Sequence, residues 1–213
     1  KTLCYEIIDQ MKFQVPDRII YPVGNAANIW AGYKAMKEWH ELGWIDRMPI
    51  FTGVQAGGSA PLVNSFAHGQ EDFKAVKDPE TIATAIRIGD PVSWPKALHE
   101  VLSSNGVVEQ VTEQEIADAK AQIGLCGIGC EPASAATLAG IRRLRAAGTI
   151  GRDADVVAVL TGNLLKDPDY IYKYHTGQLA DPAGVRLEST YGNQPVVVPN
   201  DPDRIAGLLS QED

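Results

Sequence analysis

The chain has 213 residues, 45% of them hydrophobic and 22% charged, with a net charge of −8 at pH 7 and a pI near 5.0. That is enough apolar material for one sizeable core. The acidic balance excludes a general nucleic-acid or anionic-membrane surface, because no basic excess exists to displace counterions, and no apolar run reaches the length of a membrane span.

From Lys1 to Ile8 the sequence is already periodic and semi-apolar, with no signal-peptide pattern, and it reads as a cut through an element. Residues 18–23 form a short apolar, β-branched-rich run that reads as a buried strand, and residues 49–55, 107–111 and 155–160 repeat the pattern. After the first strand comes Gly24-Asn25-Ala26-Ala27-Asn28. A glycine, small side chains and a helix start expose backbone N–H groups at the positive end of a helix dipole, which suits a phosphate. The same residues also fit an ordinary strand-to-helix turn with an asparagine cap. Residues 28–42 then place Ile29, Tyr33 and Met36 on one helical face, with Gly43 as the stop.

The stretch from Asp72 to Trp94 is irregular, with Pro79 and Pro91 as punctuation and Pro95 just beyond, and suits a loop crossing the mouth of a site. Within it Arg87 is placed either to pair with an anionic substrate group or to make a structural ion pair. Thr112-Glu113-Gln114-Glu115 has capping-box form, followed by Ile116, Ala119 and Ile123 at helical spacing. Glu131-Pro132-Ala133-Ser134 opens another helix, through Leu138, Ile141 and Leu144 to Gly148. Its small first turn suits close packing on a flat group or on a neighbouring strand. Arg142, Arg143 and Arg145 read as its solvated face. Thr161-Gly162-Asn163 follows the last strand. A hydroxyl there can hydrogen-bond a ring nitrogen that must stay neutral, or simply close the turn. From about Pro182 the tail is rich in Gly, Pro and Asp.

Strands alternating with helices, each strand apolar throughout, predict an α/β fold: a mostly parallel sheet with helices on both faces and ligands at the strands' C-terminal ends. Cys4, Cys126 and Cys130 are an odd set that favours a reducing, cytoplasmic compartment. Cys126 and Cys130 read as small buried residues rather than zinc ligands. His40, His68, His99 and His175 read as surface or interface residues, and no metal site is expected.

As an ordered set, Pro22–Met36 (PVGNAANIWAGYKAM), 48–63 (MPIFTGVQAGGSAPLV), 81–94 (TIATAIRIGDPVSW), 130–141 (CEPASAATLAGI) and 156–168 (VVAVLTGNLLKDP) resemble the threonine synthases. These are pyridoxal-phosphate enzymes of fold type II, the tryptophan synthase β-like class. The resemblance covers about residues 1–175. It implies a large-domain portion over residues 1–180 and a C-terminal extension over 181–213. It implies pyridoxal 5′-phosphate as cofactor and a lyase of amino-acid biosynthesis that converts O-phosphohomoserine and water to threonine and phosphate. Residue by residue, Gly24, Asn25, Ala26, Ala27 and Asn28 match the phosphate loop, where the family often has glycine at the position of Ala27. Thr161 matches the ring-nitrogen partner, and Glu131 and Ser134 match the motif beside the ring. Arg87 lies in a site-lining segment where Asp90 stands against a commoner asparagine.

The family's cofactor lysine, in a Ser-Phe-Lys-Asp-type motif, has no counterpart here. It is expected upstream of Lys1, in a missing N-terminal segment of the same enzyme, so the chain alone is expected to be inactive. The intact enzyme is expected to be a homodimer. Two other readings stand beside this one. The first keeps the fold and changes the substrate, to a cysteate synthase or an amino-acid dehydratase. The second is a non-catalytic module that binds a phosphate-bearing ligand or partner chain through an exposed apolar face near residues 1–11.

Overall fold

In a computed structural model that describes residues 1–68 and 73–210, four strands pair in parallel in the order β3-β2-β1-β4. They are β1 (Arg18–Pro22), β2 (Ile50–Ala56), β3 (Val108–Val111) and β4 (Val156–Ala158). Ile19 of β1 sits opposite both Phe51 of β2 and Val157 of β4. Every residue of β1 and all but the first of β2 are buried, as a parallel sheet covered on both faces requires.

The two-residue period of the strands sorts their side chains between two cores. Ile19, Tyr21 and Phe51 join Cys4, Ile8, Ile29, Met36 and Val101 on one face. Ile20, Val54 and Ala56 join Ile116, Ala119, Ala136 and Leu144 on the other. The helices divide accordingly. α1 (Thr2–Gln10), α2 (Ala27–Glu41), α3 (Pro61–His68) and α4 (Trp94–Ser103) lie on the first side. α5 (Glu113–Leu125) and α6 (Pro132–Ala146) lie on the second. Then follow α7 (Pro168–His175) and an exposed α8 (Pro202–Leu209). The α/β architecture expected from the sequence is the one observed.

Several local expectations change. α4 and α7 begin with Pro95 and Pro168 in their first turn; proline there lacks an N–H that the helix would leave unbonded anyway, so it starts a helix rather than marking a loop. Asp72, the expected start of the irregular segment, lies outside the described residues. On α6 the buried face runs through Ala133, Ala135, Ala136, Ala139 and Gly140, with Leu138 and Ile141 only half-buried. Cys126, expected to be buried, is exposed, whereas Cys130 is buried as expected and Cys4 is buried too. The start of the chain is packed rather than open. Cys4 and Ile8 belong to the core, Tyr5 stacks on Trp39 with centroids 4.8 Å apart, and Lys1 Nζ lies 2.8 Å from Glu38. Of the large apolar side chains there, Leu3 and Phe13 are the ones exposed.

Two outcomes follow from this packing. A Cβ on Gly140 would lie 2.5 Å from Val54 Cγ2, so α6 crosses β2 on bare backbone. Gly140→Ala is expected to lower stability in urea unfolding by about 1–3 kcal/mol, despite alanine's better helix propensity. Burial also raises the Cys4 and Cys130 thiol pKa values. One cysteine, Cys126, is expected to react with a chromogenic disulfide in the native chain, and three in denaturant.

Candidate functional site

From β1 the chain builds β2 and β3 on one side, then returns to place β4 on the other. β1 is therefore a topological switch point, where the loops leaving two neighbouring strands diverge and open a crevice at their C-terminal ends. A cavity of about 260 Å³ occupies that position, between the Gly24–Ile29 segment after β1, the Ala85–Ile88 loop, and Glu131, Ala133 and Thr161. A second hollow of about 210 Å³ meets it at Asn28 and Thr161 and reaches Lys1 and Gly32.

The first wall is a cradle for an anion. The first turn of α2 contains no acidic residue, and its N-cap, Ala26, supplies no side-chain hydrogen bond. α5 is the contrast: Thr112 and Glu115 satisfy each other's backbone in a full capping box. The leading N–H groups of α2 are thus left for a ligand at the positive end of the dipole. Ala26 holds a left-handed φ of 64°, which costs a residue with a Cβ about 1 kcal/mol. Ala27, where the family often has glycine, is not among the positive-φ residues, so its methyl is unstrained. Asn25 does not cap the helix; its Oδ1 accepts from Val92 N at 2.9 Å and ties down the loop opposite. A Cβ on Gly24 would come within 2.9 Å of Ala85 O, so glycine lets that loop close on the cradle. Ser59 shapes the loop as well, donating to Ile86 O (3.1 Å) and accepting from Ile88 N (3.0 Å). The sequence marked Ser59 only as part of a matching stretch.

The opposite wall is a clasp between α6 and the turn after β4. Ser134 Oγ accepts from Thr161 N (2.9 Å) and Gly162 N (3.1 Å). Thr161 Oγ1 donates to Glu131 Oε1 (3.1 Å), and Lys166 Nζ lies 2.5 Å from Glu131 Oε2. Glu131 occupies the N-cap position of α6 but makes no side-chain cap bond there; its buried carboxylate serves Thr161 and Lys166 instead. A Cβ on Gly162 would fall 2.2 Å from Glu131 Cδ, so the turn must pass over the carboxylate as glycine. The pairing with Lys166 neutralises the one carboxylate in the cavity wall, which keeps the site acceptable to an anion.

The structure brings together Gly24, Asn25, Ala26, Ala27, Asn28, Glu131 and Thr161 around one cavity. Ser134 is fully buried and reaches the cavity only through Thr161. Arg87 is exposed beside Ile86 and Ile88, with its side chain outside the cavity lining, and Asp90 is also exposed. The donor set fits pyridoxal phosphate: an uncapped helix terminus for a phosphate, a glycine whose Cβ would fill the cradle, and a hydroxyl at the neighbouring strand end for a ring nitrogen.

Residues 1–162 match the model of a family described as pyridoxal-phosphate dependent enzymes. The chain is 51% identical over 172 residues to the threonine synthase of Methanosarcina acetivorans, covering 80% of this chain and 42% of that protein. It is 50% identical over 170 residues to that of Methanocaldococcus jannaschii, covering 79% and 42%. The chain thus spans less than half the length of these curated relatives. Among solved structures, an L-serine ammonia-lyase from Rhizomucor miehei superposes with a TM-score of 0.62 at 24% identity, over 79% of this chain and 53% of that one; that likeness concerns the fold.

Ser134 is the acceptor for two adjacent N–H groups. Ser134→Ala leaves both without that partner and is expected to cost about 1–3 kcal/mol in urea unfolding. An unchanged midpoint would show that the turn is held by other contacts.

Proposed function

This chain belongs to the family of pyridoxal-phosphate dependent enzymes, and from that premise we propose that it forms the cofactor-phosphate-binding part of a threonine synthase, which turns O-phosphohomoserine and water into threonine and phosphate. The observation that carries the reading is the uncapped amino terminus of α2 opening into the switch-point cavity. The named relatives, at 50% and 51% identity, supply the substrate class.

Pyridoxal phosphate, when bound, supplies an electron-withdrawing ring that stabilises carbanions next to the substrate's amino-bearing carbon. Backbone N–H groups of Gly24 through Asn28 hold its phosphate without a cationic side chain. Thr161 presents a hydroxyl to the ring nitrogen; to donate to a neutral nitrogen it turns its proton away from Glu131, whose charge stays paired with Lys166. A hydroxyl leaves that nitrogen near neutral, whereas a carboxylate in direct contact would draw a proton onto it. Glu131, fixed by Lys166, orients Thr161, and Ser134 holds the turn on which Thr161 sits. Arg87, exposed beside the cavity-lining Ile86 and Ile88, is assigned to the substrate's anionic end. Residues 1–180 form the cofactor-facing portion, and 181–213 an extension strapped to α5 through Gln114 and Glu188.

The cofactor lysine is assigned to polypeptide outside these 213 residues, in the length that the relatives have and this chain does not span. Lys1, which lines the second hollow, is paired with Glu38, and Lys166 with Glu131 of the cavity wall. The working enzyme is assigned to the cytoplasm and to a dimer of the longer polypeptide. Among the described residues no helix is long and apolar enough to cross a membrane.

Borohydride reduction of the protein purified from its source with pyridoxal phosphate, followed by peptide mapping, tests the lysine assignment. A pyridoxyl group is expected on a lysine outside residues 1–213, and the 213-residue chain alone is expected to make no threonine. A pyridoxyl group on Lys1 or Lys166, or threonine from the pure chain, would overturn it. The cradle has its own test. Asn28→Asp adds a negative charge to the first turn of α2, where it favours the helix and repels a phosphate. Melting temperature is expected to hold or rise while affinity for pyridoxal phosphate falls about tenfold, roughly 1.4 kcal/mol.

A further inference from the structure

A third cavity, of about 200 Å³, lies between α5 and α7 and shares no lining residue with the switch-point cavity. Its walls are mostly apolar, with Ala117, Ala121, Leu125, Leu164 and Ile171 among them. Lys120 of α5 also lines it and is only 7% exposed. No hydrogen bond or ion pair to a described residue holds the Lys120 ammonium. The contact found for it is the Tyr170 ring, with the centroid 6.0 Å away. Burial lowers the Lys120 pKa, opposed through space by Cys130 and Asp167.

Among the described residues no carboxylate hydrogen-bonds or pairs with that charge, and Asp167 acts on it only through space. His175 lines the same cavity and accepts from Asn193 N through Nδ1 at 2.9 Å. Its neutral ring therefore carries its proton on Nε2 as a further donor. The closest carboxylates on α5 are committed elsewhere: Asp118 accepts from Tyr174 Oη (2.6 Å) and Gln114 Nε2 (3.0 Å), and Glu113 from Ile82 N (3.3 Å). No acidic side chain lines the cavity. Tyr170 also keeps a buried hydroxyl with no partner. A desolvated ammonium in an apolar hollow is unfavourable unless an anion joins it. A cavity of about 150 Å³ holds benzene, so this one takes an organic molecule of about six to eight non-hydrogen atoms.

We propose that the α5–α7 cavity is a second ligand site for a small carboxylate with a short apolar body, its carboxylate on Lys120 and its body against Ala121, Leu125 and Leu164. A bare inorganic anion would satisfy the ammonium but leave those walls unfilled, so the apolar body is part of the recognition.

The test is calorimetric titration of the full chain, free of pyridoxal phosphate, with isobutyrate and isovalerate, and with isobutanol and inorganic phosphate as the uncharged and bare-anion counterparts. Saturable binding is expected for the two carboxylates, and binding at least about tenfold weaker for isobutanol and phosphate. Lys120→Met keeps the stem and removes the charge. It is expected to weaken carboxylate binding at least about tenfold, with an unchanged or higher melting temperature and unchanged affinity for pyridoxal phosphate.

Gly124→Leu supplies a variant independent of the lysine. A Cβ there meets nothing within 4 Å, so the longer side chain is expected to occupy the cavity, block the carboxylates and leave the fold intact. No saturation with either carboxylate, phosphate binding as tight as isobutyrate, or wild-type carboxylate affinity in Lys120→Met would each overturn the proposal. So would a lower melting temperature in Lys120→Met with binding unchanged, which is the mark of a purely structural lysine.

Discussion

At the amino end of α2, backbone N–H groups without a side-chain acceptor face a cavity, and much of the surrounding geometry keeps them there. β1 delivers the chain to that point from the middle of the sheet, buried at every residue. Gly24 gives up its side chain so that the Ala85–Ile88 loop can approach, and Asn25 uses its amide oxygen on that loop rather than on the helix. Had Asn25 or Asn28 capped α2, the helix would be more stable alone and less able to hold an anion. Such an exchange of local stability for a binding function is expected where a ligand completes the structure.

The facing wall solves a different problem: how to keep one carboxylate beside an anion site. Glu131 is almost fully buried, and it is tolerated because both of its oxygens are engaged, one by Thr161 and the other by Lys166. The consequence falls on Thr161. Held between Glu131 and Ser134 Oγ, 3.2 Å away, the Thr161 oxygen is fixed in position, and its proton points to Glu131 until it turns toward a ligand.

What could be read from the sequence was whatever depends on near neighbours or on period. The capping box at Thr112–Glu115 is local chemistry, and it appears in the structure with both bonds made. The four strands are periodic, and their ends shift by only one or two residues, but burial is complete only in the middle of the sheet: β4 is half-buried and Gln110 of β3 is exposed, because both are edge strands. The turn into α2 could be located, yet the sequence left open whether an asparagine caps it, because nothing local reveals that Val92 N takes the Asn25 side chain. Gly140 and Gly162 carry meaning only through Val54 and Glu131, residues remote in sequence. α4 and α7 were hidden because proline reads as a breaker until one knows that it occupies a first turn.

The position of β4 has a kinetic consequence. It pairs with β1, and the junction below them is held by Asp155 N donating to Asp17 across 138 residues of chain. The facing wall has two sources: α6, which packs on β1 and on the Thr84–Ile86 turn, and the turn after β4, which the β1–β4 pairing brings in. The α2 end of the cavity comes early in the sequence and its Thr161 side much later. Bringing them together closes a long loop, an entropic cost met only when the sheet's last strand docks. Until then the α2 terminus lacks the Thr161 side of its facing wall. Any ligand that needs both sides of the cavity would favour the state in which β4 has joined β1.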